Sequence, residues 1–289
     1  MRRARTLARC VPVLLVLLTA CAGTQGRAGG GSGSEPTVYE ANATVLEAPG
    51  RGPELCLGAI ADSLPPQCGG VPIIGWDWSA VEGEEMASNT TWGEFHVVGT
   101  YEGDSFTIVD AGPPHDEGRS REDPVDTPCP EPDGGWTAPD LSKASEKDLL
   151  ALMHAVEAES DFAGFWIDYV EEPVGEVSDE PGGIIANVAF VNDVESRRVA
   201  IQELWGGPLC LVRFDRTYNE LRRIQRELSD GAAAQVGIEV TWSGVSQHEN
   251  VVEVGVVIAD DASRMAVDRR YGPGAVLLDP ALEPVDDSA

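Results

Sequence analysis

The sequence predicts an α+β protein: a small N-terminal β-barrel followed by an α/β sandwich of two tandem ββαβ repeats. Three observations carry this. Five short apolar runs, separated by Gly- and Pro-rich turns, occupy residues 37–112. Between Gly112 and Pro139, seven prolines and seven acidic residues interrupt regular helix and central strand. Beyond that break, apolar residues recur at helical spacing and the chain matches itself at a shift of about 67 residues.

At the amino end, Arg2, Arg3, Arg5 and Arg9 precede the apolar run Val11–Leu18. That run is about half of the roughly 20 residues a spanning helix requires, so residues 1–20 read as a signal peptide. Leu18-Thr19-Ala20-Cys21 resembles a bacterial lipobox. The resemblance implies cleavage before Cys21 and a diacylglyceryl anchor on that residue, which would hold the protein on the extracytoplasmic face of the cell membrane. Residues 21–36, rich in Gly and Ser, are expected to be a flexible tether.

Charge narrows the range of partners. Twenty Lys+Arg against 49 Asp+Glu give a formal charge of −29, and removal of residues 1–20 takes four arginines and no acidic residue. Such a surface repels phosphate backbones, so nucleic acid is not an expected partner. With Cys10 lost in the signal and Cys21 lipidated, Cys56, Cys68, Cys129 and Cys210 remain. An even count in an exported chain reads as disulfides, and closeness in sequence favours Cys56–Cys68 with Cys129–Cys210. The spacing fits no zinc finger.

Within 37–112 the strands are expected at Val38–Leu46, Leu55–Leu57, Val71–Trp78, Phe95–Thr100 and Phe106–Val109, the last two joined by a turn at Gly103-Asp104. This order is similar to that of an oligonucleotide/oligosaccharide-binding (OB) barrel, a resemblance of pattern that implies no ligand class. Leu55–Trp78, L-C-L-G-A-I-A-D-S-L-P-P-Q-C-G-G-V-P-I-I-G-W-D-W, resembles a segment of a secreted lipoprotein family of high-GC Gram-positive bacteria. That resemblance implies a family without an activity. Trp76 and Trp78 are expected on one strand face, with Trp92 near the next strand, and all three are candidate binding residues. As exposed rings they would stack on a sugar or anchor a protein partner; the alternative is a barrel that uses them as core.

Residues 113–139 form the Pro/acidic linker, and 140–285 the second domain. Ser145 and Asp148 make a capping box ahead of Leu149, Leu152, Met153 and Val156. A second helix is marked by Tyr218, Leu221, Ile224 and Leu228; its Arg222, Arg223 and Arg226 read as a solvated face or an anion site. The self-match lays Ile184–Asp193 over Val251–Asp260 and Leu204–Val212 over Arg270–Leu278, giving repeats at about 162–215 and 236–285. In outline these units resemble pro-region modules of streptogrisin-type secreted serine proteases, which would imply a binding or folding-assistant role.

Catalytic motifs are scarce. The four histidines, His96, His115, His154 and His248, form no H-E-x-x-H pair, and neither G-x-S-x-G nor a P-loop occurs. Acidic neighbours such as Glu84-Glu85, Glu171-Glu172 and Asp260-Asp261 are too numerous for one pair to stand out as acid and base. No cofactor or metal site is expected. The expectation is a non-enzymatic, membrane-anchored lipoprotein that binds an envelope protein or glycan, against the alternatives of an extracytoplasmic hydrolase or a solute-binding receptor.

Overall fold

Alternation along β1 (Val38–Glu47) sends Tyr39, Ala41, Ala43 and Val45 to one side and Glu40, Asn42, Thr44 and Leu46 to the other. The structure is a computed structural model that describes residues 36–115, 127–170 and 182–285. The expected signal peptide, most of the expected tether and Cys21 lie outside those residues. Strand β1 pairs antiparallel with β2 (Glu54–Cys56), and β2 with β3 (Val71–Ile74). A short edge strand, β4 (Glu85–Ala87), leads into β5 (Thr90–Glu102), which turns into β6 (Ser105–Gly112). Because β3 pairs parallel with β6, and β5 pairs back with β1 from Val38↔Thr100 to Glu47↔Thr91, five strands close into a barrel in the order β1-β2-β3-β6-β5.

Ala41, Val45, Leu55, Ile73, Phe95, Val97 and Phe106 fill the barrel. The two-residue turn between β5 and β6, Gly103-Asp104, has φ of 56° and 65°. Positive φ at both positions matches the right-handed twist of the flanking strands. The strand expected to run through Trp78 ends at Ile74, because Gly75 turns the chain at φ 89° and Asp77 caps a 3-10 turn over Trp78–Ala80.

The α1 helix (Glu146–Glu157) starts at the capping box, with Ser145 N and Oγ both donating to Asp148. Strands β7 (Phe162–Tyr169) and β8 (Ile184–Phe190) pair antiparallel. After α2 (Arg198–Leu204), β9 (Leu209–Arg213) joins β8 in parallel. Two further helices follow, α3 (Tyr218–Glu227) and the short α4 (Ala233–Gln235). Strands β10 (Val240–Ser246) and β11 (Val251–Val256) again pair antiparallel, α5 (Asp261–Tyr271) crosses, and β12 (Val276–Pro280) pairs parallel with β11. Each three-stranded sheet covers one face with helices. Leu152, Val156, Ile201 and Trp205 pack on Ala186, Val188 and Phe190; Leu221, Ile224, Leu228 and Val267 pack on Val252, Val254 and Val256.

The pairing sets residues 186, 188 and 190 level with 252, 254 and 256, one residue out of phase with the self-match of the sequence. Side chains alternate with a period of two, so a one-residue slip exchanges the two faces. In β8 both faces are buried, and apolar residues on both leave no alternation from which to read the register.

The disulfides Cys56–Cys68 and Cys129–Cys210 both form as expected. The last strand, β13 (Glu283–Pro284), returns to pair with β1 at Tyr39↔Pro284 and Glu40↔Glu283, and Val257 and Leu282 join the barrel core. From Pro36 onward the chain clusters as one unit.

Candidate functional site

Two aromatic groups form, in different places. Trp76 and Trp78 are half-buried against the barrel core, 5.4 Å from each other and 5.1 and 6.1 Å from Phe95, all edge to face. Trp78 Nε1 donates to Glu47 Oε2 at 2.6 Å, while the buried Trp76 Nε1 has no partner among the described residues. Beside them, hydrogen bonds from Ser79 hold the Asp77 carboxyl below its ordinary range. Trp92 is buried elsewhere, packed with Leu46 under the Cys56–Cys68 bridge. Thus the structure brings Trp76 and Trp78 together and leaves Trp92 apart.

The outer face of β1 and β5 forms a ladder of cross-strand pairs: Leu46 with Trp92, Thr44 with Glu94, Asn42 with His96. A strap at 113–115 lies across it. Asn42 Nδ2 donates to the His115 carbonyl and Asn42 Oδ1 accepts from the His115 N–H, each at 2.9 Å. The His115 ring stacks on His96 at 3.6 Å, and His96 Nε2 stands 3.3 Å from Glu40 Oε2. Two clefts meet on this face. One, of about 470 Å³, is lined by Asn42, Leu57, Trp242 and Asp279 among others. The second, of about 840 Å³, is lined by Asp62, Leu64, Glu82, Glu85 and Trp92 among others. Thr44, Ile60, Glu94 and Pro114 belong to both, so the two run into one another.

The lining sets carboxylates beside apolar side chains, with Leu64 and Ile60 exposed at the rim. Such a lining can accept a cationic or hydroxyl-rich group beside an apolar one. Among the described residues no three His, Cys, Asp or Glu side chains converge as a metal site. Of the acidic pairs noted in the sequence, Glu84-Glu85 gives one member, Glu85, to the second cleft. Asp260 caps α5, accepting from Ser263 N at 2.7 Å, whereas Glu171-Glu172 fall outside the described residues. Of the arginines on α3, Arg222 is bonded to Gln225 and Arg223 to Glu227 on the exposed face.

At the far end of the smaller cleft, Trp242 lies on Gly255, its Nε1 only 2.0 Å from where a Cβ there would stand. Glycine is needed at that close approach. Nearby, burial first, and then the Glu249 and Asp279 charges, raise the Glu253 carboxyl above its ordinary range, with His248 opposing them. A carboxyl raised on folding binds its proton more tightly in the folded state, so it costs stability as pH climbs past its unfolded value. Glu253→Gln should therefore unfold at a higher temperature than wild type at pH 7, with the gain vanishing near pH 3.5. A scan of melting temperature against pH checks this, and an equal shift at both pH values would contradict it.

Trp242 and Asp279 carry no sequence signal that marks them as neighbours of Thr44 and Glu94; only the return of the chain into β13 brings them there. Comparison of the chain with protein-family models and with curated proteins gave no match to either.

Proposed function

We propose that this chain is an extracytoplasmic binding module, anchored to the membrane through lipid on Cys21, which grips an envelope protein or glycan in the double cleft on the β1–β5 face. The continuity of the two clefts through Thr44, Ile60, Glu94 and Pro114 carries this reading. Clefts that bury most of a ligand's surface and set a few polar groups among apolar ones are the ordinary form of a binding site. Two disulfides fit an oxidising compartment. The closure order β1-β2-β3-β6-β5, with its parallel β3–β6 pair, supports reading the barrel as OB-like, and the shared strand pairing of the two small sheets supports reading them as a duplicated ββαβ unit.

A photo-crosslinking amino acid at Ile60, which is exposed and lines both clefts, should capture one defined partner in living cells. The same residue at the exposed Val199 on α2 should not. Cys21→Ala should move the protein, still crosslinking, from the membrane fraction to the medium. Identical adducts from both positions would sink the cleft reading, and unchanged membrane retention would sink the anchor.

A further inference from the structure

The two small sheets differ in what lies over the face turned away from their helices. On the first, the linker crosses that face. Thr127 N and Oγ1 donate to Asp168 Oδ2 at 2.9 and 2.7 Å, Asn187 Nδ2 donates to Thr127 Oγ1 at 3.3 Å, and Cys129 is bonded to Cys210. Asn187 and Cys210 beneath it are fully buried. On the second sheet the matching positions follow from the pairing: Asn187↔Cys210 corresponds to Glu253↔Leu277, and Ala189↔Val212 to Gly255↔Asp279. Among the described residues the barrel's Leu57–Ile60 and Pro114 stand beside the Trp242–Asp279 end of this face, and Leu277 is left open. Leu277 is 51% exposed, where its counterpart Cys210 is 0%, and Trp242 is 38% exposed.

The substitutions between the faces alter what each accepts. Neutral Asn187 and Val212 become Glu253 and Asp279, with Glu249 beside them, while Asp168 alone changes the other way, to Ser246; Glu253, Asp279 and Glu249 enter no salt bridge among the described residues. The first face takes the chain's own Thr127–Cys129, from the acidic linker. The second would repel that sequence and attract a basic one. The apolar floor is supplied by Leu277 and by Trp242 seated on Gly255.

We propose that the open face of the second sheet docks an extended peptide of another protein, laid over β11 and β12 as Thr127–Cys129 lies over β8 and β9, with a lysine or arginine meeting Glu253 and Asp279. This rests on the binding reading above and deepens it, since Trp242 and Asp279 also line the smaller cleft. It names the partner as a protein and the recognised feature as a basic, extended segment. Side chains of the face hold such a segment, as Asp168 accepts from Thr127 N on the first sheet, and the charge selects it.

The test uses the full, oxidised chain and two dye-labelled nonapeptides followed by anisotropy. One is the linker sequence with Cys129 replaced by serine, PVDTPSPEP. The other also carries lysine in place of Asp126 and Glu131, PVKTPSPKP. The basic peptide should bind at least tenfold tighter than the acidic one, and the difference should shrink on raising the salt. Glu253→Gln with Asp279→Asn should abolish that preference, whereas Glu157→Gln on the exposed surface of α1 should leave it intact. Circular dichroism of each variant separates lost binding from lost fold. Absence of binding, equal binding of the two peptides, or a preference indifferent to Glu253 and Asp279 would overturn the docking face. Self-association through Leu277, seen by sedimentation and broken by Leu277→Arg, would assign the face to a second copy and also overturn it. Capture from Ile60 in cells would survive any of these results, so failure here is distinguishable from failure of the broader reading.

Discussion

Removing the Cys129–Cys210 bridge by changing both residues to alanine should lower unfolding stability by about 4.5 kcal/mol on the loop-entropy account. The bridge joins residues separated by 81 positions, against 12 for Cys56–Cys68, whose removal should cost about 3 kcal/mol on the same account. The longer bridge also fastens Thr127–Cys129 over Asn187, which is fully buried. Its loss should therefore speed amide exchange along β8 and β9 more than along β11 and β12. Urea titration of oxidised protein against the double variant measures the first effect, and hydrogen exchange the second. A change below about 1 kcal/mol would show that the linker holds its place without the covalent bond.

Phe95→Ala should cost about 3–5 kcal/mol, because the ring is 1% exposed inside the barrel and its removal leaves a cavity that closed strands cannot collapse around. The distinguishing result is spectroscopic. Trp76 and Trp78 rest on this ring, so their near-ultraviolet circular dichroism should fall and their emission shift to the red while the far-ultraviolet spectrum is retained. Trp205, fully buried under the first small sheet, and Trp92, packed by the other disulfide, should contribute the residual blue-shifted signal. Unfolding without an intermediate loss of tryptophan asymmetry would mean that the rings are not held by Phe95.

The parts of the fold that were legible in the sequence are those fixed by local physics. The capping box at Ser145 and Asp148, the stripe Leu221, Ile224 and Leu228, the Gly103-Asp104 turn and the five barrel strands all announce themselves within a dozen residues. The disulfides followed from parity and proximity, since Cys56 and Cys68 flank a single loop. What stayed hidden depends on distant parts of the chain. Strand β13 is only two residues long and has no pattern of its own. The register between the two small sheets was lost because β8 is apolar on both faces. Trp242 and Asp279 became visible as cleft residues only once the chain had folded back onto the barrel. Trp76 and Trp78 were expected to meet through strand alternation; they meet instead through the bend at Gly75 and the turn that Asp77 caps.

The pairing of Glu283–Pro284 with β1 has a consequence in time. During synthesis β1 emerges before every other described strand, yet β13, which pairs beside its Tyr39 and Glu40, is made only after β12. Until that segment arrives, the backbone of Tyr39 and Glu40, beyond the stretch Thr44–Leu46 that pairs with β2, is open to any passing chain. A chain cut short before Leu282 would also lack a fully buried side chain of the barrel core. The edge is thus closed by a segment far downstream, and a copy that lacks Glu283–Pro284 carries open backbone by which proteases and chaperones can tell it from one that has it.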